Sequence, residues 1–325
     1  MLDDPRRAAR GRRLREELEE SGFSFVGSEA GQVMLLDEVV HAVHPHVHER
    51  RVASMGAIVD PRADPATWEA GTDLHIVERP IAEQPLAWAR RFADGLSSWL
   101  IRRSDGQAAW AVFDRPAGSE RDLRVLAEAL EATVVQRHPS GAVRVVNHAG
   151  VWRWERFDWH HEPPVSAWLD ALATGPDHGD PAVLRALLAF AVHDLGAWGI
   201  GALLIYRPDA EPGPVVEERL PLPPFLDIRR PMALAPLRHA LSQVDGAAIF
   251  DASGTLRQLG VRLVPSADAE ETVEGYRGMR HTSARRYSFD DPNATVIVVS
   301  EDGPVTVLRS GELLGASPPA ATNDG

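Results

Sequence analysis

Gly199-Ile200-Gly201-Ala202-Leu203-Leu204-Ile205-Tyr206 is the stretch that settles the fold class. An unbroken apolar run behind two glycines reads as a strand covered on both faces, because a half-exposed strand would alternate apolar with polar residues. Upstream, Asp180-Pro181 is a cap followed by a first-turn proline, so a helix is expected from there to about Ala197. Downstream, the pattern predicts a helix over Leu234–Gln243 and strands over Gly246–Phe250 and Arg257–Val264 around the turn Ala252-Ser253-Gly254. A helix over His281–Phe289 and strands over Thr295–Ser300 and Val305–Leu308 complete the series. Helix alternating with strand makes this half α/β.

Working toward the N-terminus, Thr174–Asp180 (TGPDHGD) is polar and carries Gly and Pro, so it marks a linker. That divides the chain into a domain over 1–174 and another over 180–314, with a Pro- and Ala-rich tail, 315–325, expected to be disordered. The first domain reads as a separate α/β or α+β unit. Helices are expected over Arg6–Ser21, Glu83–Ile101, Arg121–Ala132 and Pro164–Ala173. The second of these rests on the spacing of Leu86, Trp88, Phe92, Leu96, Trp99 and Leu100. Strands are expected over Val52–Val59, Asp73–Val77, Ala108–Phe113, Thr133–Gln136, Ala142–Asn147 and Val151–Phe157. No internal repeat is visible in the sequence.

A chain of 325 residues fits two domains. It has no cysteine and no lysine, so all 34 basic residues are arginine. Disulfides, thiol chemistry, a Schiff-base lysine and a P-loop lysine are therefore excluded. The net charge of −13 argues against wrapping nucleic acid. The one dense basic run, Arg6 to Arg15, leads straight into Glu16, Glu17, Glu19 and Glu20, which reads as a solvated helix. The most apolar stretch, Ala186–Tyr206, is interrupted by His193, Asp194 and glycines, so neither a membrane anchor nor a signal peptide is expected. A cytoplasmic protein is the expectation.

Four short segments of the second half carry chemistry together. Asp245-Gly246-Ala247 opens a strand, and Val261-Arg262-Leu263-Val264-Pro265 ends the next. Gly278-Met279-Arg280-His281-Thr282-Ser283-Ala284 opens a helix, and Val298-Val299-Ser300-Glu301-Asp302-Gly303 ends a strand. Singly, each is an ordinary turn or surface pair. As a set, a helix N-terminus bearing Arg, His, Thr and Ser is a phosphate cradle, and Gly278 lets a ligand approach the backbone. Carboxylates at Asp245 and Asp302 could hold a divalent metal near those phosphates.

In order and spacing these segments resemble the diadenylate cyclase (DAC) domain of DisA-type and CdaA-type proteins. The resemblance covers roughly 180–314; Gly199–Ile205 is similar to the family's first core strand, and Val305–Leu314 to its last. It implies a central mixed sheet flanked by helices, and condensation of two ATP into cyclic di-AMP and two pyrophosphates with Mg²⁺ or Mn²⁺. It implies catalytic roles for Asp245, Arg280 and His281, and nucleotide contacts from Gly246, Ala247, Leu263, Gly278, Met279, Thr282, Ser283 and Ser300. Asp245, His281 and Asp302 are the implied metal ligands. Each domain would bind one ATP, so two domains must face each other in a dimer or larger assembly. Two positions depart from the family: Met279 stands where Thr is common, and Thr282 where a second Arg is common. The lost charge-assisted contact is worth roughly 1.5–3 kcal/mol; Arg277, Arg285 or Arg286 could replace it. The alternative is a module that binds ATP or cyclic di-AMP without turnover, or a cyclase with another nucleotide preference.

Residues 1–174 are read as a sensor or regulatory domain of unknown ligand. No DNA-binding domain is read in the chain. His41, His44, His46, His48, His160 and His161 invite a metal or pH-sensing role, although Pro45 interrupts any helical spacing. Trp152, Trp154 and Trp159 could line a ligand pocket, with core packing the weightier reading.

Overall fold

Alternating helices and strands build two separate sheets, one in residues 1–164 and one in 165–325. The structure is a computed structural model that describes residues 5–45, 47–48, 51–81, 85–155, 157–172, 179–209, 214, 216–217, 220, 222–276, 278–301 and 304–316.

In the first unit, helices α1 (Pro5–Glu20) and α2 (Glu29–Val43) precede a short ladder, β1 (Val47–His48) with β2 (Arg51–Val52). Then come β3 (Met55–Val59), α3 (Pro65–Thr72), β4 (Ile76–Pro80), α4 (Leu86–Ala89), β5 (Ser98–Arg102), β6 (Ala108–Phe113), α5 (Glu120–Ala129), β7 (Thr133–Arg137), β8 (Val143–Asn147), β9 (Gly150–Glu155) and β10 (Asp158–Glu162). The sheet order is β10-β9-β8-β7-β3-β5-β6-β4. Alternate residues of β3 enter different cores: Ala57 and Val59 meet Leu35 and Val39 of α2, while Ile58 meets Leu123 and Leu126 of α5.

The helix expected over Glu83–Ile101 is not one helix. It ends after α4 and a 3₁₀ turn, Arg90–Phe92, and its second half is β5. Asp94 and Gly95 cause the break. The Asp94 carboxylate accepts from the N–H groups of Leu96, Ser97 and Ser98, and Gly95 sits at φ +73°. Trp99 and Leu100 thus point to opposite faces of a sheet rather than along one helical stripe. The strand expected over Asp73–Val77 begins later, because Asp73 is the left-handed C-cap of α3.

In the second unit, α6 (Val165–Leu172) and α7 (Pro181–Phe190) precede β11 (Ala202–Tyr206). β12 (Val216–Glu217), α8 (Pro231–Leu241), β13 (Ala247–Phe250), β14 (Leu256–Leu263), α9 (Ala267–Thr272), α10 (Met279–Asp290), β15 (Thr295–Val299), β16 (Val305–Arg309) and β17 (Glu312–Ala316) follow. Helix α7 continues through a π turn, Ala191–Leu195, to a left-handed Gly199. The sheet order is β12-β14-β13-β11-β15-β16-β17. Leu204 and Tyr206 face α7, and Leu203 and Ile205 face α10, which is why the run is apolar without alternation. The units divide at Pro164/Val165, upstream of the expected linker, because Trp168 and Leu172 of α6 pack into the second core. Residues 174–178 of that linker, and Ala173 before it, lie outside the described residues. The first two residues of the tail expected from 315 are in β17, Gly315 paired with Val307 and Ala316 with Thr306; residues 317–325 lie outside the described residues.

The two sheets have the same strand order and directions. β3 is parallel to β5 and antiparallel to β7, as β11 is to β13 and β15. β5-β6-β4 corresponds to β13-β14-β12, and β7-β8-β9 to β15-β16-β17, antiparallel throughout. Helices α5 and α10 occupy the same place, between the strand next to the edge and the strand that returns to the centre. The sequence shows no repeat, yet the topology repeats, with β10 as an extra strand in the first unit.

Candidate functional site

The sequence pattern converges at the end of the second sheet where β11 and β13 begin. These two strands are parallel, so the segments leading into them open on the same edge. A cleft of about 490 Å³ lies there, walled by Gly199–Gly201, Leu241–Asp245, Arg280 and Glu301. That is within the roughly 300–1,000 Å³ range of small-molecule sites.

Asp245 is exposed on the wall and makes no hydrogen bond or ion pair with any described residue. Gly246, at φ +110°, turns the chain from Asp245 into β13. A Cβ there would stand 2.6 Å from the Gly260 carbonyl carbon and 2.8 Å from the Val261 oxygen, so only glycine permits this approach of β13 to β14. Ala247 is buried beneath the turn. Asp-Gly-Ala is thus a carboxylate, a backbone pivot and a core residue in succession.

Arg280 comes from the first turn of α10. Gly278 caps that helix at φ +126° without a side-chain cap bond, and no acid lies in the first turn. The helix therefore turns its first-turn N–H groups and its positive dipole end, with no side-chain cap, toward an anion. A Cβ at Gly201 would overlap the Arg280 guanidinium, so Gly201 is what gives that side chain its place. Among the described residues, Arg280 pairs weakly with Glu301, at 3.9 Å and 79% exposed.

Other expected site residues stand off the cleft wall. His281 is buried, with Nε2 3.5 Å from Thr306 Oγ1 and its ring edge-on to Tyr276. Thr282 Oγ1 accepts from the Tyr276 N–H at 3.0 Å and donates to the Tyr276 carbonyl at 3.3 Å, so it pins the loop before α10. Met279 is 88% exposed at the helix start, beside exposed Gly278. Ser283 is half-buried one turn on. Leu263 is in the core and pairs with Val216. Ser300 is half-buried and donates its N–H to Pro304. Asp302 and Arg277 lie outside the described residues. Arg285 donates to the Gly311 carbonyl and Arg286 to that of Val273, so Arg280 is the arginine on the cleft wall. Gly199, Gly201 and Glu301 were not singled out from the sequence; a glycine on either side of Ile200, just ahead of a buried strand, was the available signal.

Among the described residues no group of three His, Asp or Glu side chains converges to hold a metal by itself. Asp245, with Glu301 on the same cleft, is the donor set there. That fits a hard cation, which takes one or two carboxylates and completes its shell with phosphate oxygens and water.

In the first unit the described histidines do not form a metal cluster. His161 stacks on Trp152 at 4.3 Å, and His44 caps α2. His46 and the side chain of His48 lie outside the described residues. Trp152 and Trp159 are core residues. No described helix is long and apolar enough to cross a membrane.

Comparison with known proteins agrees with this geometry. Residues 191–313 match the family model DAC, described as "DisA bacterial checkpoint controller nucleotide-binding". Residues 12–162 match the model described as "Probable sensor domain DACNK". No curated protein matches the chain. Among solved structures, a hypothetical membrane spanning protein from Bacillus cereus is similar at 18% identity and a TM-score of 0.32, over 42% of this chain and 71% of that one.

Proposed function

From a chain that carries a DAC domain at 191–313 behind a DACNK-type domain at 12–162, we propose a diadenylate cyclase under the control of its N-terminal unit. The observation that carries this is the cleft that joins Asp245, which pairs with no described residue, to Arg280 at the N-terminus of α10. An anion on α10 meets free N–H groups and a guanidinium, which suits the ATP phosphates. Asp245 then faces the ribose end, where its carboxylate accepts the proton of the 3′-hydroxyl. The 3′-oxygen of each ATP forms a bond to the α-phosphorus of the other, and each bond to pyrophosphate breaks. Two such cleft-bearing domains must therefore face each other, and self-association is part of the proposal. Mg²⁺ or Mn²⁺, held by Asp245 with phosphate oxygens, would supply charge neutralisation at the phosphates. His281 acts as a positioning residue, fixing the first turn of α10 from below. An enzyme that consumes ATP is expected to work in the cytoplasm.

Purified protein with ATP and either metal is expected to yield cyclic di-AMP on chromatography. No product with either metal, across a range of protein concentrations, overturns the reading. Asp245→Asn is expected to lower turnover by about 10³-fold. Undiminished product from that variant would refute the role given to Asp245.

One observation favours nucleotide binding without turnover as the second reading. Thr282 is occupied by Tyr276, and Arg285 and Arg286 are turned to backbone carbonyls, so the described cleft has a single arginine for a triphosphate. ATP binding with no product from any nucleoside triphosphate is the outcome expected of that reading.

A further inference from the structure

The extra strand of the first unit makes a hairpin whose turn is costly to keep. Phe157, between β9 and β10, sits at φ +69° and is 89% exposed. Asparagine or glycine is the usual residue at such a position, and phenylalanine pays a steric penalty there. An exposed side chain contributes nothing to the core in return, so neither backbone nor packing accounts for this residue.

Phe157 borders a cavity of about 330 Å³ between α1, the end of α2 and β9. Leu14, Val43 and Trp154 give it apolar walls, and Trp159 backs Trp154 at 5.2 Å. Two arginines of α1 stand at its rim. Arg13 is neutralised by Glu17 at 2.8 Å, whereas Arg10 makes no hydrogen bond or ion pair with any described residue. His44 also lines it; burial and the Arg10 charge hold its pKa below the ordinary value, so the ring is a neutral polar group at pH 7. An apolar aromatic cavity with one uncommitted cation is the composition of a small-molecule site.

We propose that this cavity binds a small planar aromatic anion, its ring against Trp154 and Phe157 and its carboxylate or phosphate on Arg10. Aromatic faces accept any flat ring, and the guanidinium selects for the acid. The pocket depends on the β9–β10 turn, which has no counterpart among the described residues of the second sheet.

The test is calorimetric titration of the full chain with 2-naphthoate and with its neutral analogue 2-naphthylmethanol. One naphthoate per chain is expected to bind, with the neutral compound weaker by about tenfold or more. Phe157→Gly is expected to weaken naphthoate by about tenfold while the thermal midpoint stays level or rises, because glycine relieves the left-handed backbone. Arg10→Gln is expected to abolish the preference for the acid, and Arg280→Gln to leave binding unchanged. Absence of naphthoate binding, equal affinity for the neutral compound, or parental affinity in both Phe157→Gly and Arg10→Gln overturns the proposal. So does a lowered midpoint in Phe157→Gly, or loss of binding in Arg280→Gln. The readout is binding without turnover, so its failure is distinct from failure of the cyclase reading.

Discussion

Helices α5 and α10 hold the same place in sheets of the same strand order, yet their N-termini are chemically opposite. In α5, Ser119 and Asp122 form a capping box, and Glu120 adds a second acid to the first turn. There the Asp122 N–H is taken by Ser119 Oγ at 3.2 Å, and the Asp122 carboxylate fills the cap where an anion would sit. In α10 the cap is a glycine, the first turn has no acid, and Arg280 stands ready. The surrounding loops differ in the same sense. Gly95 and Leu96, leading into β5, press onto Gly56 of β3 and Gly118 before α5, and Gln136 of β7 donates to the Gly95 and Gly118 carbonyls at 2.7 and 2.9 Å. The corresponding segments of the second unit stay apart and leave the cleft. The shared scaffold therefore confers no site. What confers it is whether helix N–H groups and arginines are left uncommitted.

The sharpest break of this comparison is at Glu120. It is buried, takes Arg153 through bonds of 2.8 and 2.6 Å, and has Arg144 at 3.4 Å. Those arginines serve the fold, whereas Arg280 serves no buried carboxylate. Glu120→Gln leaves two buried guanidinium groups undercompensated and is expected to cost about 3–5 kcal/mol of stability. Denaturant unfolding checks this; a loss below about 1 kcal/mol would mean that the pair is not structural.

A middle-sized effect should come from copying the chemistry of α5 onto α10. Met279→Glu puts an acid at the first helical position, where α5 has Glu120. Met279 is 88% exposed, so the core is untouched. The added charge favours the helix by about 0.3–1 kcal/mol and opposes the incoming phosphates. ATP affinity is expected to fall about tenfold, or ~1.4 kcal/mol, with no loss of thermal midpoint. Unchanged affinity would place the phosphates elsewhere than on α10.

Much of the second unit was legible because each of its signals is local. Asp180-Pro181, the apolar run into Tyr206 and the helix opening after Gly278 each follow from a few neighbouring residues. Asp245 and Arg280 were legible for the same reason, as a turn carboxylate and a helix-start cation. The side of the helix was not: His281 adjoins Arg280 in sequence but points to Thr306, because adjacent helical residues face about 100° apart. Gly201 was not legible as a cleft residue, since its role depends on Arg280 arriving from a distant helix. The repeated topology was hidden because two sheets can share strand order while Trp99 and Trp152 fill the two cores of one unit and Leu204 and Phe250 a core of the other. The apolar spacing over Glu83–Ile101 fits both a helix and a turn-plus-strand, and Asp94-Gly95 decides for the second.

The smallest expected effect concerns Glu301, the described carboxylate that opposes Arg280. Glu301 lies 3.9 Å away and is 79% exposed, too solvated to commit the guanidinium as Glu120 commits Arg153. Exposed pairs of this kind are worth about 0–1 kcal/mol. Glu301→Gln removes a negative charge from the wall that receives a triphosphate, so ATP affinity without added metal is expected to rise by about threefold. The gain should shrink as salt is raised, because the contribution is a screened one between exposed groups. If Glu301 instead helps Asp245 hold the metal, the same variant binds ATP more weakly when Mg²⁺ is present. Titrations with and without the metal therefore show whether the open cleft differs from its closed counterpart by an idle carboxylate or by a second ligand.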